Sequence, residues 1–197
     1  ADDEIARRAA EPFTLTVPDE ARSEARELIG AESWIALCPG TRWESKLWTP
    51  ERWAELADWI AERYPELTVA LCGAPSEAED VARIAGLAKN FANLKNLAGA
   101  AGLWTSAAVF AGADAVVALD SAPLHLAAAV GTPTVSMFGP TDPGRVAPRG
   151  HGHTILRREE LDCLVCYERR CPLAARECLP GITAETVGEA LEAQLAR

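Results

Sequence analysis

Apolar runs of four or five residues recur along this chain, and each empties into a short loop rich in Gly, Pro and hydroxyl residues. The runs are Trp34–Leu37, Thr68–Leu71, Ala115–Leu119 and Thr134–Met137. Uninterrupted apolar runs of this length read as strands buried on both faces. A shorter strand falls near Leu94–Leu97. Helical patterns fill the gaps. Thr49 and Pro50 make a cap and first residue for a helix reaching Tyr64, with Trp53, Leu56, Trp59 and Ile60 on its buried side. Ser76-x-x-Glu79 predicts a capping box opening a helix through Val81 and Ile84. Thr105–Ala111 is predicted helical, another helix starts at Ser121 and Pro123, and a last one spans Thr183–Leu195 with Val187, Leu191 and Leu195 on one face. Residues 1–30 read as a lead-in plus one helix, an inter-domain connection, and residues 31–197 as one domain. The alternation of strand and helix predicts an α/β fold, a Rossmann-like parallel sheet with helices on both faces.

The polar loops fall in one place. Cys38–Lys46, Cys72–Pro75, Asp120–His125 and Phe138–Pro143 each directly follow a predicted strand. In doubly wound sheets ligands bind beyond the carboxyl ends of the strands. In the first loop Gly40 permits close approach of the backbone, Thr41 and Ser45 offer hydroxyls, and Lys46 offers a point charge for a diphosphate. Glu77 sits in a first helical turn, where it either accepts from ribose hydroxyls or complements the dipole. Asp120 stands at a strand end, placed to accept from a sugar, to stabilise developing positive charge or to cap its own turn. Beyond it, the amides of Ser121 and Ala122 open a helix, and a helix N-terminus favours anions. His125 lies one turn further, within reach of a phosphate or packed among its apolar neighbours. For Thr141-Asp142-Pro143 turn chemistry is a sufficient explanation, and only the location suggests function. Trp43 and Trp48 flank Lys46, either as walls for a ligand or as packing. Two such loops in succession at Asp120 and Phe138 suggest a ligand that bears phosphate.

Composition narrows the partners. The 197 residues carry a net charge of −10, which argues against a nucleic-acid partner, since that affinity rests on basic neutralisation. The apolar runs are too short for a transmembrane helix, and the acidic start, Ala1-Asp2-Asp3-Glu4, lacks a signal-peptide pattern. With no initiator Met, the chain is expected to be part of something longer. Cys163, Cys166, Cys171 and Cys178 form a compact set. Four thiols suit a structural zinc ion, and plain thiols and disulfides are the other readings. Arg169, Arg170 and Arg176 add a basic patch to the same segment. Cys38 and Cys72 end apolar strands and read as buried and inert.

Taken together, Pro39-Gly40 with Lys46 and Trp48, Cys72-Gly73-Ala74-Pro75, Asp120-Ser121-Ala122-Pro123-Leu124-His125 and Phe138-Gly139-Pro140-Thr141-Asp142-Pro143 resemble the C-terminal half of the ADP-heptose:lipopolysaccharide heptosyltransferases, glycosyltransferase family nine. The resemblance implies the C-terminal half of a GT-B enzyme of two Rossmann-like domains, in which residues 31–197 hold the nucleotide-sugar donor. It implies a metal-independent, inverting transfer of heptose from ADP-heptose to the lipopolysaccharide inner core, in the cytoplasm or at the inner-membrane face. Carried over, Thr41 and Lys46 face the diphosphate, Glu77 the ribose and Asp120 the heptose. The amides at Ser121 and Ala122, with His125, complete the phosphate site. The catalytic base and acceptor pocket belong to the N-terminal domain of the family, so no catalytic residue and no transfer by this chain alone are expected. Competing readings are another GT-B nucleotide-sugar enzyme, an epimerase or N-acetylglucosaminyl transferase, and a stand-alone nucleotide-binding module.

Overall fold

The computed structural model describes residues 13–89, 92–173 and 177–196. Six parallel strands form one sheet in the order β3-β2-β1-β4-β5-β6. They are β1 (Trp34–Cys38), β2 (Thr68–Leu71), β3 (Leu94–Asn96), β4 (Ala115–Leu119), β5 (Thr134–Met137) and β6 (His153–Leu156). Chain order reverses between β1 and β4, so the sheet is doubly wound with its switch point there. The predicted parallel α/β architecture is what the residues adopt.

Alternation along each strand builds two cores. Ile35 and Leu37 of β1 join Val117 and Leu119 of β4 on one face, under helices α2 (Pro50–Arg63), α3 (Ala78–Leu87) and α7 (Ala184–Leu195). Trp34, Ala36 and Cys38, with Val116 and Ala118, point to the other, under α1 (Asp19–Ile29), α4 (Leu103–Gly112) and α5 (Ala122–Ala129). Small residues on this second face let the helices come close. Gly112 of α4 lies so near the Trp34 ring that a Cβ there would overlap it. Helix α1 is more than a lead-in: Ala21, Ala25 and Ile29 are buried in the second core, and the Leu15 amide donates to the Ala129 carbonyl.

Local chemistry explains most boundaries. Thr49 caps α2 by accepting from the Arg52 amide at 3.3 Å, with Pro50 as first residue. Thr183 accepts from the Thr186 amide at 3.1 Å and starts α7. Trp53, Leu56 and Ile60 are buried as predicted, while Trp59 is half-buried against Gly188 and stacks on Arg63. Two readings need correction. The capping interaction at Ser76-x-x-Glu79 is shifted two residues back: Glu77 Oε2 accepts from the Ala74 amide at 2.8 Å, and a 3-10 turn over Pro75–Glu77 precedes α3. Pro75 fixes φ for a first turn, so the helical path begins there. Strand β6 went unpredicted because it is an edge strand, His153-Thr154-Ile155-Leu156, without a fully buried residue. Gln194 of α7, itself buried, ties this edge down by donating to Thr154 Oγ1 at 2.7 Å and to the Gly152 carbonyl at 3.2 Å. Among the described residues no helix is long and apolar enough to cross a membrane.

Candidate functional site

The loops that follow β1, β2, β4 and β5 gather at the carboxyl edge of the sheet, on both sides of the switch point. At their centre is Asp120, the residue immediately after β4. Its carboxylate is only 8% exposed, and Lys46, which arrives on the loop after β1, reaches it with an Nζ–Oδ2 distance of 2.6 Å. Nζ also lies 3.5 Å from the Asp120 carbonyl. The Thr141 hydroxyl, from the loop after β5, donates to the same Oδ2 at 2.6 Å. Three loops are thus tied to one oxygen. Among the described residues Oδ1 has no recorded partner, so the carboxylate keeps an acceptor for a hydroxyl.

A near-buried ion pair is costly unless each charge is well matched. Here the match is good for the carboxylate, which receives both an ammonium and a hydroxyl. For the lysine, the pair cancels the charge that an anion would otherwise feel. Nζ sits also 4.3 Å from the Trp43 ring centroid, a cation–π contact that steadies the side chain on its open side.

Next to this cluster, α5 begins without a side-chain cap. Ser121 is extended at φ −155°, but its hydroxyl turns back to the Leu119 carbonyl at 3.4 Å rather than forward to the helix amides. The Ser121 hydroxyl therefore does not occupy the amides of Ser121 and Ala122, which leaves them for an anion, while the Leu124 amide donates to the Ser121 carbonyl at 3.2 Å. Ala122 and His125 are exposed at this end of the helix.

The other site residues stand as follows. The Glu77 carboxylate packs directly over Gly40, where a Cβ would collide with it, and holds the Ala74 amide. The close approach that Gly40 permits is thus taken by a side chain of the same chain. Thr41 is half-buried, and among the described residues no side-chain hydrogen bond ties it to Lys46 or Asp120. Ser45 does not face a ligand: it is buried, and its hydroxyl donates to the Glu168 carbonyl at 2.6 Å. The two tryptophans part company. Trp48 is core, donating Nε1 to the Ile182 carbonyl at 2.9 Å and meeting Trp53 edge-on, whereas Trp43 belongs to the site.

Thr141 is the residue that sequence reasoning missed. Turn chemistry does explain Asp142, whose Oδ1 accepts from the Gly144 amide at 2.9 Å. It does not explain a threonine that is 3% exposed. The available signal was its place in the loop that follows β5, which the parallel neighbour β4 sets beside Asp120.

The four clustered thiols do not come together as a zinc site among the described residues. Among the described residues no three His, Cys, Asp or Glu side chains gather as a ligand set, and all six cysteines are free thiols, not disulfides. The backbone turns through positive φ at Val165 and Tyr167, leaving Cys163 and Cys166 exposed, while Cys178 is drawn in against Gly139. Burial pushes the Cys178 thiol up from its ordinary range, and the nearby Cys171 and Cys163 add to this. Cys38 is buried at the end of β1, its thiol raised by a hydrogen bond with Cys72 and by burial; Cys72 itself is half-buried.

The sequence of residues 7–176 matches the model of glycosyltransferase family 9 (heptosyltransferase). Lipopolysaccharide heptosyltransferase 1 of Pseudomonas aeruginosa is 36% identical over 138 residues, which are 70% of this chain and 37% of that protein. Among solved structures, the E. coli ADP-heptose lps heptosyltransferase II superposes with a TM-score of 0.78 at 26% identity, covering 93% of this chain and 53% of its own. The E. coli heptosyltransferase WaaC with ADP-2-deoxy-2-fluoro heptose superposes with a TM-score of 0.64 at 28% identity, covering 88% and 47%. The chain therefore spans about half the length of these relatives, or less.

Proposed function

This chain belongs to glycosyltransferase family 9, and from that membership we propose that residues 31–197 are the donor-binding half of a heptosyltransferase that moves heptose from ADP-heptose to the lipopolysaccharide inner core. Residues 1–30 are the connection to the acceptor-binding half. The observation that carries the reading is the Lys46–Asp120–Thr141 cluster beside the uncapped start of α5. A buried carboxylate, a lysine and free helix amides at a switch point suit a ligand that is both sugar and diphosphate.

Each group has a task in this scheme. The free Oδ1 of Asp120 accepts from a heptose hydroxyl and orients the ring. Lys46 and the amides around Ser121 and Ala122 meet the diphosphate, whose charge grows as the glycosidic bond breaks. Exposed His125 adds a donor at the phosphates, Thr41 another from the first loop, and Glu77 accepts from the ribose. The transfer calls for no cofactor in this scheme, because the leaving group is stabilised by these fixed donors. Inversion requires an acceptor hydroxyl on the opposite face of the sugar and a base within reach of it. Both come from the other half, and the assembled enzyme works in the cytoplasm, peripherally at the inner membrane where its acceptor lies.

Calorimetry tests the reading. ADP is expected to bind one-to-one and more tightly than UDP, and Lys46→Ala to weaken ADP by about 1.5–3 kcal/mol, the range of a charged hydrogen bond. No binding of either nucleotide, or an unchanged affinity in Lys46→Ala, would remove the site.

A further inference from the structure

Among the described residues the cysteine-rich segment gathers no set of metal ligands, and it is anchored firmly to the site. Ser45, the neighbour of Lys46, is held by it twice: its amide donates to the Arg169 carbonyl at 3.1 Å and its hydroxyl to the Glu168 carbonyl at 2.6 Å. One step earlier, the Tyr167 amide donates to the Pro140 carbonyl at 2.9 Å, next to Thr141. Residues 167–170 thus form a strap joining the loop that carries Lys46 to the loop that carries Thr141. Its left-handed backbone at Tyr167, φ 54°, is what lets the chain turn into these contacts.

The strap places a guanidinium at the site. Arg169 lies over the Trp43 ring, 5.5 Å from its centroid, on the same ring that Lys46 approaches at 4.3 Å. The charges here do not balance for an anionic ligand. Lys46 is already matched by Asp120 at 2.6 Å, and Arg170 by Glu44 at 3.5 Å. Among the described residues no carboxylate pairs with Arg169. Its charge is uncommitted, and it is exposed on a stem long enough to swing from the ring to a ligand.

We propose that Arg169 is a second diphosphate-binding cation of the donor site, presented by the strap and parked on Trp43 until a nucleoside diphosphate arrives. The inference rests on the donor-binding reading above and adds a residue outside the four strand-end loops. Arginine suits the task because its planar fork can hold two phosphate oxygens at once, where Lys46 offers only a point charge.

The test compares ADP with adenosine, which carries the same base and ribose but no phosphate, by calorimetry at low salt. Arg169→Ala is expected to weaken ADP about fivefold, the scale of an exposed charge contact, with the difference shrinking as salt is raised. Adenosine should bind the variant and the parent equally, and Arg169→Lys should recover part of the loss. Arg170→Ala, which removes the same charge from the same strap, should leave ADP affinity near that of the parent. Unchanged ADP affinity in Arg169→Ala overturns the proposal. So does an equal loss in Arg170→Ala, which would reduce the effect to net charge, or an equal loss for adenosine, which would make it a collapse of the strap. Failure of the parent chain to bind ADP at all would instead strike down the donor-binding reading, and this inference with it.

Discussion

Asp120 sits between two demands. Its Oδ2 is shared by the Lys46 ammonium and the Thr141 hydroxyl, so it sets both loops and cancels the lysine charge. For a diphosphate that cancellation is a cost, and for a sugar hydroxyl the carboxylate is a gain. The two roles separate in one substitution. Asp120→Asn keeps an oxygen for Thr141 but frees the charge of Lys46, so ADP affinity is expected to rise, by up to about 1 kcal/mol. Calorimetry of the variant checks this. A loss as large as that in Lys46→Ala would mean that Asp120 serves to position the lysine, and that the charge argument is wrong. This contact was not legible from residue types. Lys46 and Asp120 are 74 positions apart in the chain, and only the adjacency of β1 and β4 brings them together. Each was picked out alone by its place after a strand; the pairing needed the strand order.

Elements were easiest to read where both faces are buried, and hardest where one is open. β1, β2, β4 and β5 are buried at every position and stood out as runs. β6 has no fully buried residue, and particular partners hold it in place. Thr134 of β5 and His153 of β6 are register partners, with Oγ1 and Nδ1 3.0 Å apart. Burial holds the His153 pKa below its ordinary 6.5, outweighing a hydrogen bond with the Arg149 backbone that raises it. The folded state thus favours the neutral ring, and the unfolded chain takes up the proton first as pH falls. The stability linked to this residue is complete above about pH 6.5 and is lost as pH drops below it, with a slope of at most about 1.4 kcal/mol per pH unit. Urea unfolding at pH 7.5 and pH 5.5 should therefore show a larger acid loss for the parent than for His153→Gln. Equal losses would show that the edge strand does not sense this proton. The cysteine segment marks the opposite limit: four compact thiols suggested zinc, but nothing in the sequence signalled that the backbone here turns through Tyr167 into contacts with the Ser45 and Pro140 loops.

At the scale of the whole molecule, the site is an edge with one side built. Donor groups converge on the carboxyl end of the sheet, and the carboxylate central to them is already engaged with Lys46 and Thr141. In the proposed scheme, closure against a second domain supplies the acceptor and its base. The chain by itself is accordingly expected to bind ADP-heptose without transferring heptose to a lipopolysaccharide acceptor, as a labelled-sugar assay would report. Turnover by the isolated chain, abolished in Asp120→Asn, would place the chemistry on this half after all.

The most direct test of where the ligand goes is a titration of the isotopically labelled chain with ADP, followed amide by amide in nitrogen–proton correlation spectra. The expected result is that the largest shifts fall on Gly40–Lys46, on Ser121, Ala122 and His125, and on Thr141, and that they vanish in Lys46→Ala. Shifts centred elsewhere, on the far end of the sheet or on β6 and α7, would contradict a nucleoside-diphosphate site at the Lys46–Asp120 cluster.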